Sequence, residues 1–182
     1  AISPGVSMPP DTNGAVGPNH LLLATNGTLR VQDRSGNVLT SITLLAFWMD
    51  LGVVDAFDPR SYYDPHSGRF LMITCGDRRS AASASLLAVS ETNDPTGIWH
   101  RWVLDADPAN LNWVDYGNLG FTKNEITFTS NLFRNSNDDF GGVQFWRINK
   151  ASALDGGALT METFKVTNSG GTLVPVTTFD AG

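Results

Sequence analysis

The sequence holds one cysteine, three glutamates, three histidines and few basic residues. A lone Cys75 cannot close an internal disulfide, which excludes a disulfide framework and a zinc cluster. Its place in the apolar run 69–75 reads as a buried, inert thiol rather than a nucleophile. No stretch approaches the ~18 apolar residues of a membrane helix, so no membrane insertion is expected. Twelve Lys and Arg against 18 Asp and Glu leave a net charge of -6 and a pI near 4.8. That balance argues against nucleic acid, whose binding needs a basic face to release phosphate counterions, and against docking on an anionic membrane. Charged residues make up 16% of the chain, below the roughly 25% of an average domain. The 41% that is hydrophobic is ample apolar surface to bury, which excludes intrinsic disorder. The opening Ala-Ile-Ser-Pro-Gly has neither the basic region nor the apolar core of a signal peptide, and a mature secreted chain would begin the same way.

Helical periodicity is nearly absent as well. Short β-branched and aromatic runs stand between clusters of Asn, Asp, Gly and Pro, the pattern of an all-β protein. Strands are predicted at 21–25, 28–32, 38–44, 69–75, 85–90, 99–104, 126–130, 143–148 and 160–166, with one helical turn at 150–154. The turns repeat. Near the start of each third, an aspartate (Asp11, Asp58, Asp115) and a short extended segment lead through a polar turn into a strongly apolar strand. Two more strands follow each time. The spacing suits four-stranded propeller blades, so residues 1–182 read as one all-β, propeller-type domain of about three blades. Segment 172–179 looks like the opening of a fourth. A β-sandwich of about nine strands is the alternative that the same alternation allows.

Three motifs, Pro10 to His20, Ser90 to Trp99 and Asp115-Tyr-Gly-Asn-Leu-Gly120, resemble a family of secreted bacterial propeller proteins. Gly117 replaces a proline common in that family's third motif. The resemblance implies a propeller fold and a secreted or extracytoplasmic location. The middle motif is also similar to the Asp-box of sialidase-type propellers, although its spacing is longer. Such a turn is structural: Asp94 would bond backbone amides, Gly97 would take a strained conformation, and Trp99 would pack between blades. Asp33 to Gly36 and Asp64 to Gly68 repeat the chemistry.

The first strand of a propeller blade lines the central channel, so Asp11, Asp58 and Asp115 are expected to converge on one axis. Converging carboxylates repel, and a hard cation such as calcium is the simplest remedy, with Asp11, Asn13, Asp58 and Asp115 as its ligands. Asn118 and backbone carbonyls could add to them. The competing reading is that each aspartate only caps its turn. Phe57-Asp-Pro-Arg60 is similar to the blade openings of five-bladed glycosidases, which adds Arg60 to the candidate ligand-binding set of Asp11, Asp58, Asp115, Trp113 and Tyr116. Among the five tryptophans, Trp113 is the best candidate for an exposed sugar-stacking face. Glycoside hydrolysis needs a carboxylate and a protonated acid, commonly glutamate. Blade topology sends Glu91 and Glu125 to the end opposite the aspartates, and Glu162 to an outer strand. His20, His66 and His100 are scattered, and there is no Gly-x-Ser-x-Gly elbow or phosphate loop. Arg78 and Arg79 read as a solvated loop tip, with anion binding as the lesser alternative.

The expected function is an extracytoplasmic propeller module that binds a glycan or a protein ligand, with calcium as a stabiliser. The alternative is a glycoside hydrolase completed by another chain or by missing blades. Three blades leave two open ends, so a homo-oligomer is expected if the chain is complete.

Overall fold

The computed structural model describes residues 9–168 and 170–179. The extreme N-terminal reading and the outer limits of the 1–182 domain fall outside them. The fold is all-β: three four-stranded antiparallel sheets, each built from strands consecutive in sequence. The first contains β1 (Asn13–Val16), β2 (His20–Ala24), β3 (Thr28–Asp33) and β4 (Val38–Thr43). In the second are β5 (Ala56–Asp64), β6 (Arg69–Gly76), β7 (Ala84–Ser90) and β8 (Trp99–Asp105). The third consists of β9 (Asn112–Phe121), β10 (Glu125–Arg134), β11 (Phe140–Asn149) and β12 (Met161–Val166). Three sheets of four are a propeller-like array of three blades. A two-sheet sandwich is ruled out.

The stacking follows from the middle sheet. Strand β7 is buried along its whole length, so both of its faces need apolar cover. On β6, Phe70 and Met72 join the core shared with the first sheet, packed on Leu22, Leu29 and Trp48. The alternate residues Leu71, Ile73 and Cys75 join the core shared with the third sheet, around Phe128 and Trp146. A period of two therefore distributes one strand between two cores. Strands β4 and β12, at the outer edges, are mostly exposed.

The three inner strands are the elements that the sequence shows least. Strand β5 carries Pro59 and β9 carries Gly117 and Gly120, residues that normally break a strand. Pro59 and Gly117 are accommodated where the pairing register slips, between Phe57 and Arg60 in β5 and opposite Thr129 to Asn131 in β9, while Gly120 pairs regularly with Thr127. The helical turn α1 (Lys150–Leu154) forms as predicted, capped by Asn149. Asp33, Asp64 and Asp94 each accept from the backbone N–H two residues on, at 2.8–2.9 Å. Gly36 and Gly68 then supply the positive φ of their turns; Gly97 does not, contrary to the strain expected there. Segment 172–179 adds a strand to no sheet. It lies against β9 and β10, with Leu173 O accepting from Thr129 Oγ1 at 2.6 Å and Thr178 N donating to Phe121 O at 2.9 Å.

A buried ion pair joins the second and third sheets. Lys150 Nζ lies 2.6 Å from Asp64 Oδ2, with both side chains almost wholly buried. The ammonium also donates to Thr122 O and sits 5.1 Å from the centre of the Phe121 ring. Removing one member strands the other charge without water, at a typical cost of about 3–5 kcal/mol. Lys150→Met is accordingly expected to lower unfolding free energy by about that amount in urea titration. A loss below about 1 kcal/mol would mean that the pair is dispensable.

Candidate functional site

In every blade the first strand begins at the same end as the turn between the second and third strands. At that end of the array the three predicted aspartates come together. Asp11 and Asp58 adopt left-handed backbone conformations, with φ of 43° and 51°, and so does Tyr116, at 50°. Such conformations are uncommon outside glycine, Asn and Asp, and persist where surrounding bonds hold them. Asn26, in the turn between β2 and β3, supplies those bonds. Its Nδ2 donates to Asp11 Oδ2 at 2.5 Å and to Pro9 O at 3.0 Å, while its Oδ1 accepts from Asp58 N at 2.6 Å. Tyr116 N then donates to Asp115 Oδ1 at 2.8 Å and to Asp58 Oδ2 at 3.2 Å. One polar chain thus crosses all three blades.

The carboxylates perturb one another's ionisation. Burial, followed by the adjacent Asp115 carboxyl, holds Asp58 above the ordinary aspartate range. Burial and then Asp58 do the same to Asp11, against the lowering influence of Asn26 and Arg60. The adjacent Cys75 thiol is pushed well up, by burial and then by the charges of Asp58 and Asp115, which makes it inert. Around the carboxylates opens a recess of about 350 Å³, walled also by Asn26, Arg78, Arg79 and Tyr116.

Other candidates land differently. Tyr116 is 46% exposed, and the Arg60 guanidinium lies 5.3 Å from its ring centre. Trp113 is only 6% exposed, so it offers no open stacking face. Its Nε1 donates to Asp138 at 3.0 Å, Arg79 lies over its ring at 5.3 Å, and Phe57 and Phe133 pack against it. It is wall rather than platform. Asn13 accepts from Ser61 N at 2.6 Å, bracing β1 on β5, and does not line the recess. Among the described residues, no group of three or more His, Cys, Asp or Glu side chains is arranged to hold a metal. Of the glutamates, Glu125 and Glu162 both flank Arg147, at 3.5 Å each. His66 bonds to Thr178 O at 2.9 Å and His20 lies 3.7 Å from Asp94.

Asn26 is the site residue that sequence reasoning passed over, and Arg78 and Arg79, read as a solvated loop tip, wall the recess. Arg78 pairs with Asp55 at 2.6 Å and covers Phe57 at 4.0 Å, and Arg79 pairs with Asp138 at 2.8 Å. The signal was present in the topology: their turns follow second strands, which end where first strands begin.

No protein-family model matches the chain, and no curated protein does. Solved structures match in fold. One is a subtype N11 neuraminidase-like protein of A/flat-faced bat/Peru/033/2010 (H18N11), with 12% identity and a TM-score of 0.52 over 85% of this chain. Another is an alpha-L-arabinanase mutant of Cellvibrio cellulosa, with 14% identity and a TM-score of 0.52 over 84% of this chain. The chain spans 37% and 51% of the lengths of those two proteins.

The carboxylate cluster has a stability signature. Asp11 and Asp58 bind protons more tightly in the folded chain than in the unfolded one, so their contribution favours folding as pH falls toward the raised values and opposes it above them. Asp58→Asn keeps a residue tolerant of the left-handed conformation and removes the central charge. It should raise the melting temperature at pH 7 by a few degrees, with the gain shrinking toward pH 4. An unchanged or lower melting temperature at pH 7 would show that the cluster carries no repulsive strain.

Proposed function

We propose that the axial recess recognises a glycan through its carboxylates, and that the chain acts as a carbohydrate-binding propeller module of an extracytoplasmic protein. The observation that carries this reading is the convergence of Asp11, Asp58 and Asp115 on one solvent-open recess with Tyr116 and two arginines at hand. Carboxylates accept from sugar hydroxyls, guanidinium groups donate to them, and a half-exposed aromatic covers C–H faces. Recognition of this kind needs no proton transfer.

A second reading, glycoside hydrolysis, draws on the inner-strand aspartates and on the arabinanase named among the structural neighbours. Against it stands the lining of the recess, where no glutamate, the residue commonly used as the acid, is present.

The cation first expected here also enters as a proposal: with all three aspartates ionised, calcium would relieve the repulsion that protons relieve in its absence. Melting in excess calcium and in excess chelator separates the two. A higher melting temperature with calcium, lost in Asp58→Asn, supports an ion; identical melts leave protonation alone.

The functional test is a neutral oligosaccharide panel, including arabino-oligosaccharides, read by saturation-transfer NMR and by release of reducing ends. Binding without turnover is expected, weakened about tenfold or more in Asp115→Asn through loss of a charge-assisted hydrogen bond. Release of reducing ends that disappears in Asp58→Asn would replace this reading with the hydrolase. Absence of both signals would sink each of them.

A further inference from the structure

A second cavity opens at the same end of the array but away from its axis, on the third blade. It measures about 840 Å³, more than twice the axial recess, and lies within the roughly 300–1,000 Å³ usual for ligand sites. Its walls come from the start of β9, the turn between β10 and β11, and the residues around the end of β12. The chemistry is the reverse of the axial site. Arg134 and Lys165 contribute two positive charges, four asparagines contribute amides, and no aspartate or glutamate lines it. In a chain of net charge -6, a large cavity without a carboxylate is a local inversion of sign.

Neither cation is held in a close ion pair, although the Lys165 charge is felt at Asp107. Among the described residues, neither Arg134 nor Lys165 forms an ion pair, whereas Arg78, Arg79, Arg101, Arg147 and Lys150 all do. The nearby Asp107 carboxylate is engaged elsewhere, accepting from Asn112 Nδ2 at 2.6 Å and from Leu111 N at 3.3 Å. The wall itself is built. Asn135 Nδ2 is tied to Asn110 O at 3.1 Å, and Asn112 fits only because position 141 is glycine. A Cβ at Gly141 would come within 2.4 Å of Asn112 Oδ1. Leu111, 66% exposed, and Phe140, 38% exposed, add apolar surface beside the polar groups.

We infer that this cavity binds an acidic saccharide, a polyhydroxylated ligand bearing a carboxylate or sulfate group. Arg134 and Lys165 take the anion, the side-chain amides of Asn110 and Asn168 and the unpartnered Asn135 Oδ1 meet hydroxyls, and Phe140 and Leu111 cover C–H faces. A plain anion would leave the amides and the apolar surface unused. A neutral sugar would leave Arg134 without a counter-charge and Lys165 with only Asp107, beyond ion-pair distance. The inference stands apart from the axial recess and survives failure of the reading given to it.

The test titrates the intact chain, by calorimetry, with trigalacturonate, a sulfated galactan oligosaccharide, a neutral arabino-oligosaccharide and inorganic sulfate. One of the two acidic saccharides should bind, in preference to the neutral one. Its affinity should fall about tenfold or more in the surface variant Arg134→Gln/Lys165→Gln and weaken as salt rises. Asp58→Asn should leave it unchanged, which separates this site from the axial one. The carboxylate and sulfate probes together identify the anion. Binding of neither acidic saccharide, or binding indifferent to the double substitution, would overturn the inference. Inorganic sulfate binding as tightly as the saccharides would reduce the site to a simple anion pocket and overturn it too.

Discussion

Burial of both faces of the second sheet is the constraint from which the rest of the molecule follows. Strand β7 presents apolar residues in both directions, and β6 nearly so, so neither face can meet water. A sheet in that position needs a neighbour on each side, and the two cores supply them. Once three sheets are stacked, their first strands must lie side by side along one axis. The convergence of Asp11, Asp58 and Asp115 is therefore imposed by apolar packing some distance away. Electrostatics would have kept them apart. The site is an effect of the core, and Asn26 and Tyr116 N serve to make the imposed proximity tolerable.

What was legible in the sequence was whatever repeated or alternated. The middle and outer strands, with runs such as Leu86 to Val89 and Val143 to Ile148, stand out by hydrophobicity, and their observed limits differ from the predicted ones by a few residues at most, apart from the longer β10 and β11. The aspartates stood out because they recur at one place in each unit. The inner strands were harder because the slips of register at Pro59 and near Gly117 let turn-forming residues sit inside a strand. No local propensity signals that. The ion pair of Lys150 with Asp64 was equally hidden, since its partners lie 86 residues apart and each looked complete as a helix start and a turn. Trp113 was misjudged for a related reason. Its loop neighbours suggested exposure, whereas Arg79 and Asp138, brought from two other turns, close over it.

The two ends of the array differ in where their polar groups are engaged, and this distinguishes the recess end from the other. At the end away from the recess, Asp33, Asp64 and Asp94 bond amides two residues along, so each turn is satisfied by its own side chain. Such turns hold their shape locally, and Asp64 adds a bond between blades through its buried pair with Lys150. At the recess end, the bonds run between blades: Asn26 to Asp58, Tyr116 N to Asp58, and Arg79 to Asp138, over separations of 32, 58 and 59 residues. Those groups keep their geometry only while the blades stay in register, and they leave carboxylates and a guanidinium facing solvent.

That contrast also explains why two sites of opposite charge can coexist at one end. Near the axis, every blade brings the start of its first strand, and the repeated aspartate makes the sum negative. Away from the axis, neighbouring turns diverge, and the composition is set by one blade alone. The third blade places Arg134, Lys165 and its asparagines there and no carboxylate. Screening lengths of about 8–10 Å at physiological salt allow the two regions to keep separate potentials on one small domain. The repeat therefore sets the chemistry at the centre, and departure from the repeat sets it at the periphery.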